Sequence, residues 1–131
     1  MGEISDEKTT AAMDELQRTE EYHLNGADPQ VKNMYSAIKT AMLEYKPRLR
    51  VNPQKYYISL VDKKSFAYIY VWRKKLIIIV MLKEDVARNS IKHYQVSSQS
   101  ESVKKFYGGE CVKISITDDK NIDEVINALK L

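Results

Sequence analysis

Along the chain the apolar positions change their spacing several times, and each change marks an element. Between Pro29 and Pro47, Val31, Met34, Tyr35, Ile38, Met42 and Tyr45 recur three and four residues apart, which defines one apolar helix face over four turns. Asn25-Gly26-Ala27 ahead of this run is a turn signal. Asp28 then offers a capping acceptor, Pro29 suits the first helical position, and Pro47 ends the run.

The period next shortens to two. Lys55 to Val61 and Phe66 to Trp72 are rich in β-branched and aromatic residues, and Leu76 to Leu82 is a continuous apolar run of strand length. The links Asp62-Lys63-Lys64-Ser65 and Arg73-Lys74-Lys75 are short enough only for antiparallel neighbours, so a three-stranded meander is expected. Residues 84 to 107 carry a weak pattern, Val86, Ile91 and Tyr94 followed by the polar stretch Gln95 to Ser102, and read as loop with a turn or two of helix.

After Gly108-Gly109, Val112, Ile114 and Ile116 alternate with Lys113 and Ser115, predicting a half-exposed strand over Cys111 to Thr117. Asp118 and Asp119 stand where a helix start needs acceptors, and Ile122, Val125, Ile126 and Leu129 define the face of a closing helix. The expected fold is α+β. A mainly antiparallel sheet of about four strands, the meander plus the last strand, has its N- and C-terminal helices packed on one face.

Charge divides the chain more sharply than pattern does. Residues 1 to 28 hold eight acids against Lys8 and Arg18, a net −6, and residues 29 to 131 hold ten acids against nineteen Lys and Arg, a net +9. Residues 1 to 20, with few large apolar side chains, read as an acidic leader or linker, and 21 to 131 as a single domain. A basic body draws nucleic acid, acidic proteins or anionic surfaces. No apolar run approaches the 18 or so residues of a membrane span, and the start lacks the pattern of a signal peptide, so a cytoplasmic protein without a membrane partner is expected.

Catalytic and cofactor chemistry leaves no trace in the motifs. Nucleotide-binding glycine loops, the nucleophile elbow and the HExxH zinc motif are all missing from a sequence with only four glycines, and no cofactor is expected. Cys111 is the only cysteine and reads as a small buried residue. His23 and His93 lie apart, without the neighbours that a metal site or a nucleophile and base need. Asp118-Asp119-Lys120 resembles part of a magnesium-dependent nuclease site, but the helix start that follows accounts for its acids. Neither catalytic nor metal-binding residues are expected.

The positive signal is the basic surface. Lys32, Lys39 and Lys46, seven apart, form one stripe beside the apolar face of the first helix, and Arg48 and Arg50 continue it. Arg73, Lys74 and Lys75 form a second cluster on a hairpin link. These eight residues are the candidate contacts to a nucleic-acid backbone, which would be bound through its phosphates without sequence discrimination. Phe66, Tyr68, Tyr70 and Trp72 fall on one face of the middle strand, and aromatic stripes of this kind are most often core. A second possibility is a groove at Tyr68, Tyr70, Trp72 and His93, its rim marked by tyrosine hydroxyls if residues 84 to 107 fold over it.

Several short pieces carry a resemblance: Glu21 with His23-Leu24, Pro29, Tyr56-Tyr57-Ile58, Phe66-Ala67, Lys74-Lys75-Leu76 and Tyr107-Gly108-Gly109-Glu110. From about residue 20 onward the chain resembles a family of uncharacterised accessory domains found at the C-terminal ends of predicted transport proteins and restriction-nuclease-like proteins. The resemblance implies a non-catalytic module that travels with DNA-processing domains. The expected function is therefore a non-enzymatic accessory domain binding DNA or RNA, attached to or working with a nuclease-like protein. The competing expectation is a protein-interaction or self-association module that uses the tyrosine face or a strand edge.

Overall fold

A computed structural model describes residues 15, 16 and 18–131. Most of the leader read from the sequence, residues 1–14 and 17, lies outside the described residues.

The elements run α1 (Glu20–Leu24), α2 (Pro29–Tyr45), β1 (Arg50–Pro53), β2 (Ile58–Asp62), β3 (Lys64–Val71), β4 (Leu76–Val80), α3 (Glu84–Ser90), β5 (Gln95–Ser98), α4 (Glu101–Tyr107), β6 (Val112–Ile116) and α5 (Ile122–Leu129). The strands form one antiparallel sheet in the order β1-β2-β3-β4-β6-β5. The class and the meander match expectation, but the sheet has six strands rather than four. The additional ones are its two edges, β1 and β5. Each offers a single large aliphatic side chain, Val51 and Val96, so neither shows the alternation that marks a strand.

The stretch expected to be mostly loop holds α3, β5 and α4. Its polar residues cap and connect. Ser100 Oγ accepts the Val103 N–H at the start of α4, and Gly108 ends that helix at φ +93°, a left-handed conformation that glycine adopts without strain. Gly108 thus closes a helix, rather than opening a strand as its sequence context suggests.

Ridge and row meet on one face of the sheet. Ile58, Ile69, Ile78, Ile114 and Val96 lie opposite one another across five strands, and all are buried. Val31, Met34, Tyr35, Ile38 and Met42 of α2 and Val125, Ile126, Ala128 and Leu129 of α5 are the buried faces of the two long helices, and they belong to the same cluster. Each large side chain fully withdrawn from water here contributes about 1.5–3 kcal/mol. Tyr45, expected on this face, is exposed at the helix end. The packing of N- and C-terminal helices on one side of the sheet is as expected.

Two links fix α2 along the sheet. The Asp28 N–H donates to the Arg73 carbonyl at 2.8 Å, and the Lys46 ammonium meets the Asp62 carboxylate at 2.6 Å. The start of α2 therefore lies against the β3–β4 link and its end against the β2–β3 link. Among the described residues no helix is long and apolar enough to cross a membrane.

Candidate functional site

The side chains that alternate away from the long helices build the second face. One row crosses all six strands: Asn52, Ser59, Tyr68, Ile79, Lys113 and Ser97. The next row contains Tyr70, Ile77, Ser115 and Gln95. Among the described residues no long helix covers these rows. The short helix α4 lies over part of them, held from β5 on one side and by the Gly108 turn on the other.

Four tyrosines assemble where α4 meets the sheet. The Tyr57 ring stands edge-on to Tyr68 at 5.2 Å between centroids and tilted to Tyr70 at 5.6 Å, and Tyr107 of α4 lies 4.8 Å from Tyr68. Such spacings are those of attractive aromatic pairs. The Tyr70 and Tyr107 hydroxyls are hydrogen-bonded at 2.6 Å. Burial, with the Tyr107 hydrogen bond second, pushes the Tyr70 phenol far above its ordinary value, so it stays protonated and keeps a proton to share.

Beside this cluster opens a cleft of about 280 Å³, lined by Tyr70, Trp72, Ile77, Ile79, Gln99, Val103, Tyr107 and Lys113. No acid lines it. Trp72 is 54% exposed, and the Lys75 ammonium sits 4.7 Å from its ring centre, a cation–π contact that brings positive charge to the mouth of the cleft. The Trp72 N–H donates to the Lys75 carbonyl at 2.9 Å, so the tight link itself places both side chains.

Sequence reasoning located Tyr68, Tyr70 and Trp72 on this face, but Tyr57, Tyr107 and Lys113 escaped it. The signal available for Tyr107 was a Ser100 cap and a Gly108 stop bracketing a short helix of seven residues. Phe66, grouped with the stripe in the sequence, packs against the helix-side core instead. His93 is not brought to the cleft. Its ring Nδ1 is hydrogen-bonded to Glu124 of α5, whose other oxygen accepts the Lys92 and His93 N–H groups at 2.8 and 3.0 Å. Those bonds, the one from His93 first, hold the Glu124 carboxyl below its usual range.

The eight basic candidates divide between the two ends of α2, about 20 Å apart at the rise of a helix. Lys32, Arg73, Lys74 and Lys75 lie at its start, the last three following Trp72 in the β3–β4 link. Lys46, Arg48 and Arg50 lie at its end, and Lys39 between. Three are paired with acids from other elements: Lys39 with Glu20 at 2.7 Å, Lys46 with Asp62, and Arg73 with Asp28 at 3.7 Å. Among the described residues Lys32, Arg48, Arg50, Lys74 and Lys75 form no ion pair, so the stripe is interrupted at its middle. Glu20, the last residue of the expected leader, is tied into the body by that bond and by the Tyr35 hydroxyl at 2.7 Å.

A family model described as "Domain of unknown function (DUF5655)" matches residues 20–130. The chain belongs to this family. No curated protein and no solved structure matches it. The family match begins at α1 and takes in both the tyrosine cleft and the basic ends of α2. Its description, that of an uncharacterised domain, agrees with the resemblance seen in the sequence and says nothing of transport or nucleases.

Among the described residues no three His, Cys, Asp or Glu side chains gather as a metal site requires. Asp118 Oδ1 accepts the Lys120 N–H at 3.0 Å, while Asn121 occupies the capping position of α5. The two aspartates shape the turn before the helix rather than capping it. Cys111 is buried just ahead of β6, and burial pushes its thiol up, away from reactivity.

Proposed function

We propose that this domain is a non-catalytic binding module whose tyrosine-lined sheet face receives a single strand of DNA or RNA. The observation that carries the reading is the acid-free cleft beside Tyr70, Trp72 and Lys113, continued by the cationic link Arg73-Lys74-Lys75. Unpaired bases present flat faces that stack on aromatic rings, whereas the bases of a duplex are already stacked on each other. Trp72 is the ring free to stack, Tyr70 and Tyr107 supply polar walls, and Lys113, Lys74 and Lys75 meet the phosphates. Lys32 extends the positive end. The Lys46, Arg48 and Arg50 end of α2, remote from the cleft, is secondary in this arrangement. Work alongside a nuclease-like partner fits the resemblance seen in the sequence and the same ligand.

Trp72 is the only tryptophan of the chain, so its fluorescence reports the site without a label. Titration with a short single-stranded oligonucleotide at about 50 mM salt is expected to quench it with Kd on the order of 1–100 µM, typical of sequence-independent binding. Three or four phosphate contacts predict a log–log salt slope of about −2 to −3. Unchanged fluorescence at about 100 µM oligonucleotide rejects the proposal.

A protein partner is the second reading, favoured by Phe106. It is 77% exposed and stands 5.0 Å from the Tyr107 ring, next to the cleft. Light scattering that finds a dimer abolished by Phe106→Ser, with no oligonucleotide binding, selects it.

A further inference from the structure

A second concavity lies on the helix-covered side, where the ends of α2 and α5 approach the β2–β3 link. Met42, Phe66, Val80, Leu82, Ala128 and Leu129 give it an apolar floor. Its rim is cationic, with Lys46, Lys63, Lys64 and Lys130, and among the described residues Asp62 is the one acidic side chain lining it. That carboxylate is already bonded to Lys46 at 2.6 Å.

Two of the lysines have local reasons for their positions. Lys46 and Lys130 are the C-cap residues of α2 and α5, where a cation offsets the partial negative charge of a helix end, and both ammonium groups approach the Tyr45 ring. Lys63 and Lys64 have no such role, and among the described residues neither forms an ion pair. Lys63 is the apex of the link, with a positive φ of 20°, and both it and Lys64 line the hollow beside its apolar floor. An apolar hollow with unmatched cations on one side of its mouth is complementary to a molecule with an apolar body and one anionic end.

We propose that this hollow binds a small amphiphilic carboxylate, its chain on the Met42, Phe66 and Leu129 floor and its carboxylate at Lys63 and Lys64. The volume sets the size. About 280 Å³, at roughly 30 Å³ for a group the size of water, accommodates about nine chain-sized groups. Octanoate is a ligand of that size, and two charge-assisted hydrogen bonds at its head distinguish it from an alcohol of equal length. The site shares no lining residue with the tyrosine cleft, so it stands or falls independently of nucleic-acid binding.

The test titrates the full, isotope-labelled chain with octanoate, octan-1-ol and acetate while amide resonances are followed. Octanoate is expected to bind saturably with Kd on the order of 1 mM, with shifts centred on Asp62, Lys63, Lys64, Leu82 and Leu129. Octan-1-ol should bind about tenfold more weakly, and acetate should produce no saturable shift. Lys63→Gln combined with Lys64→Gln alters two exposed side chains, and should reduce octanoate to the affinity of the alcohol while leaving the alcohol unchanged. Equal affinities for octanoate and octan-1-ol overturn the proposal, as do shifts centred on Tyr70 and Trp72, or a double variant that binds octanoate as before. Shifts at the same residues that follow protein concentration without ligand would assign the hollow to a second copy of the chain, and also overturn it.

Discussion

The hydroxyl of Tyr70 on the central sheet and that of Tyr107 on α4 share one hydrogen bond of 2.6 Å, the polar clasp by which the short helix is held against the strands. Removing either partner strands the other in a half-buried setting. Tyr70→Phe and Tyr107→Phe are each expected to lower stability by about 1 kcal/mol, and the double variant by much less than their sum. Urea denaturation of the four proteins closes the cycle. Additive losses would show that the two phenols do not depend on each other.

Alkali should unfold the domain in a characteristic way. Burial first, then the hydrogen bond that the Tyr35 hydroxyl donates to Glu20 and the one that Tyr70 shares with Tyr107, raise the phenols of Tyr35 and Tyr70 far above their ordinary value. Below about pH 10 these groups are protonated whether the chain is folded or not, and their contribution is complete. Above it the unfolded chain releases protons that the folded chain retains, so stability falls as pH rises. Phenolate absorbance should therefore appear in two stages. The later stage, that of Tyr35 and Tyr70, comes together with loss of circular dichroism. A single smooth titration with the fold intact contradicts this.

Glu20 should matter to α1 and α2 together. Burial alone would raise its pKa, yet hydrogen bonds from Lys39 and Tyr35 outweigh burial and hold the carboxyl below its usual range. Its contribution is thus present above about pH 4.3, the unfolded value, and fades as pH falls through the lower folded value. Glu20→Ala leaves the buried Tyr35 hydroxyl without its acceptor and should cost about 1–3 kcal/mol at neutral pH, while Glu20→Gln, which retains an acceptor, should cost less. Thermal melts at pH 7 and pH 3 measure both, and the difference between wild type and Glu20→Ala should narrow at the lower pH.

The two groups of basic residues should separate in binding. Lys113→Gln and Lys75→Gln are each expected to weaken oligonucleotide binding several-fold and to reduce the salt slope by about 0.7, one single-strand phosphate contact. Lys39→Gln, whose ammonium is occupied by Glu20, should change it little. Equal losses from all three would point to diffuse attraction by net charge, and not to a strand seated in the cleft.

What could be read in the sequence follows from how far each signal reaches along the chain. The long helices were legible because five residues of α2 and four of α5 repeat one face within a single element. The β2–β3–β4 meander was legible because its links are short. The edge strands were not. Pro53 in β1 reads as a breaker, although a strand with one unpaired side tolerates it, and β5 shows one valine among polar residues.

The same distinction divides the site. Alternation put Tyr68, Tyr70 and Trp72 on one face, because it needs only neighbouring residues. That Tyr107 would return to cover them, that Lys113 would stand two strands away, and that His93 would turn to Glu124 all depend on chain separated by twenty residues or more. Neutralisation of the helix stripe was hidden for a like reason. Glu20 and Asp62 reach Lys39 and Lys46 from other elements, so a count of acids on α2 alone misses them.

The strand order has a bearing on how the molecule is made. β6, an interior strand, enters between β4 and β5 although it is the last to be synthesised. Until residues 112–116 leave the ribosome, β4 and β5 have no common neighbour, and the Leu76–Val80 run, apolar on both sides, has one flank bare. A nascent chain, or one shortened to end before residue 112, therefore exposes its stickiest segment at the moment when it has no cover, which makes the Leu76–Val80 run the place where chaperones should bind and where such shortened variants should aggregate.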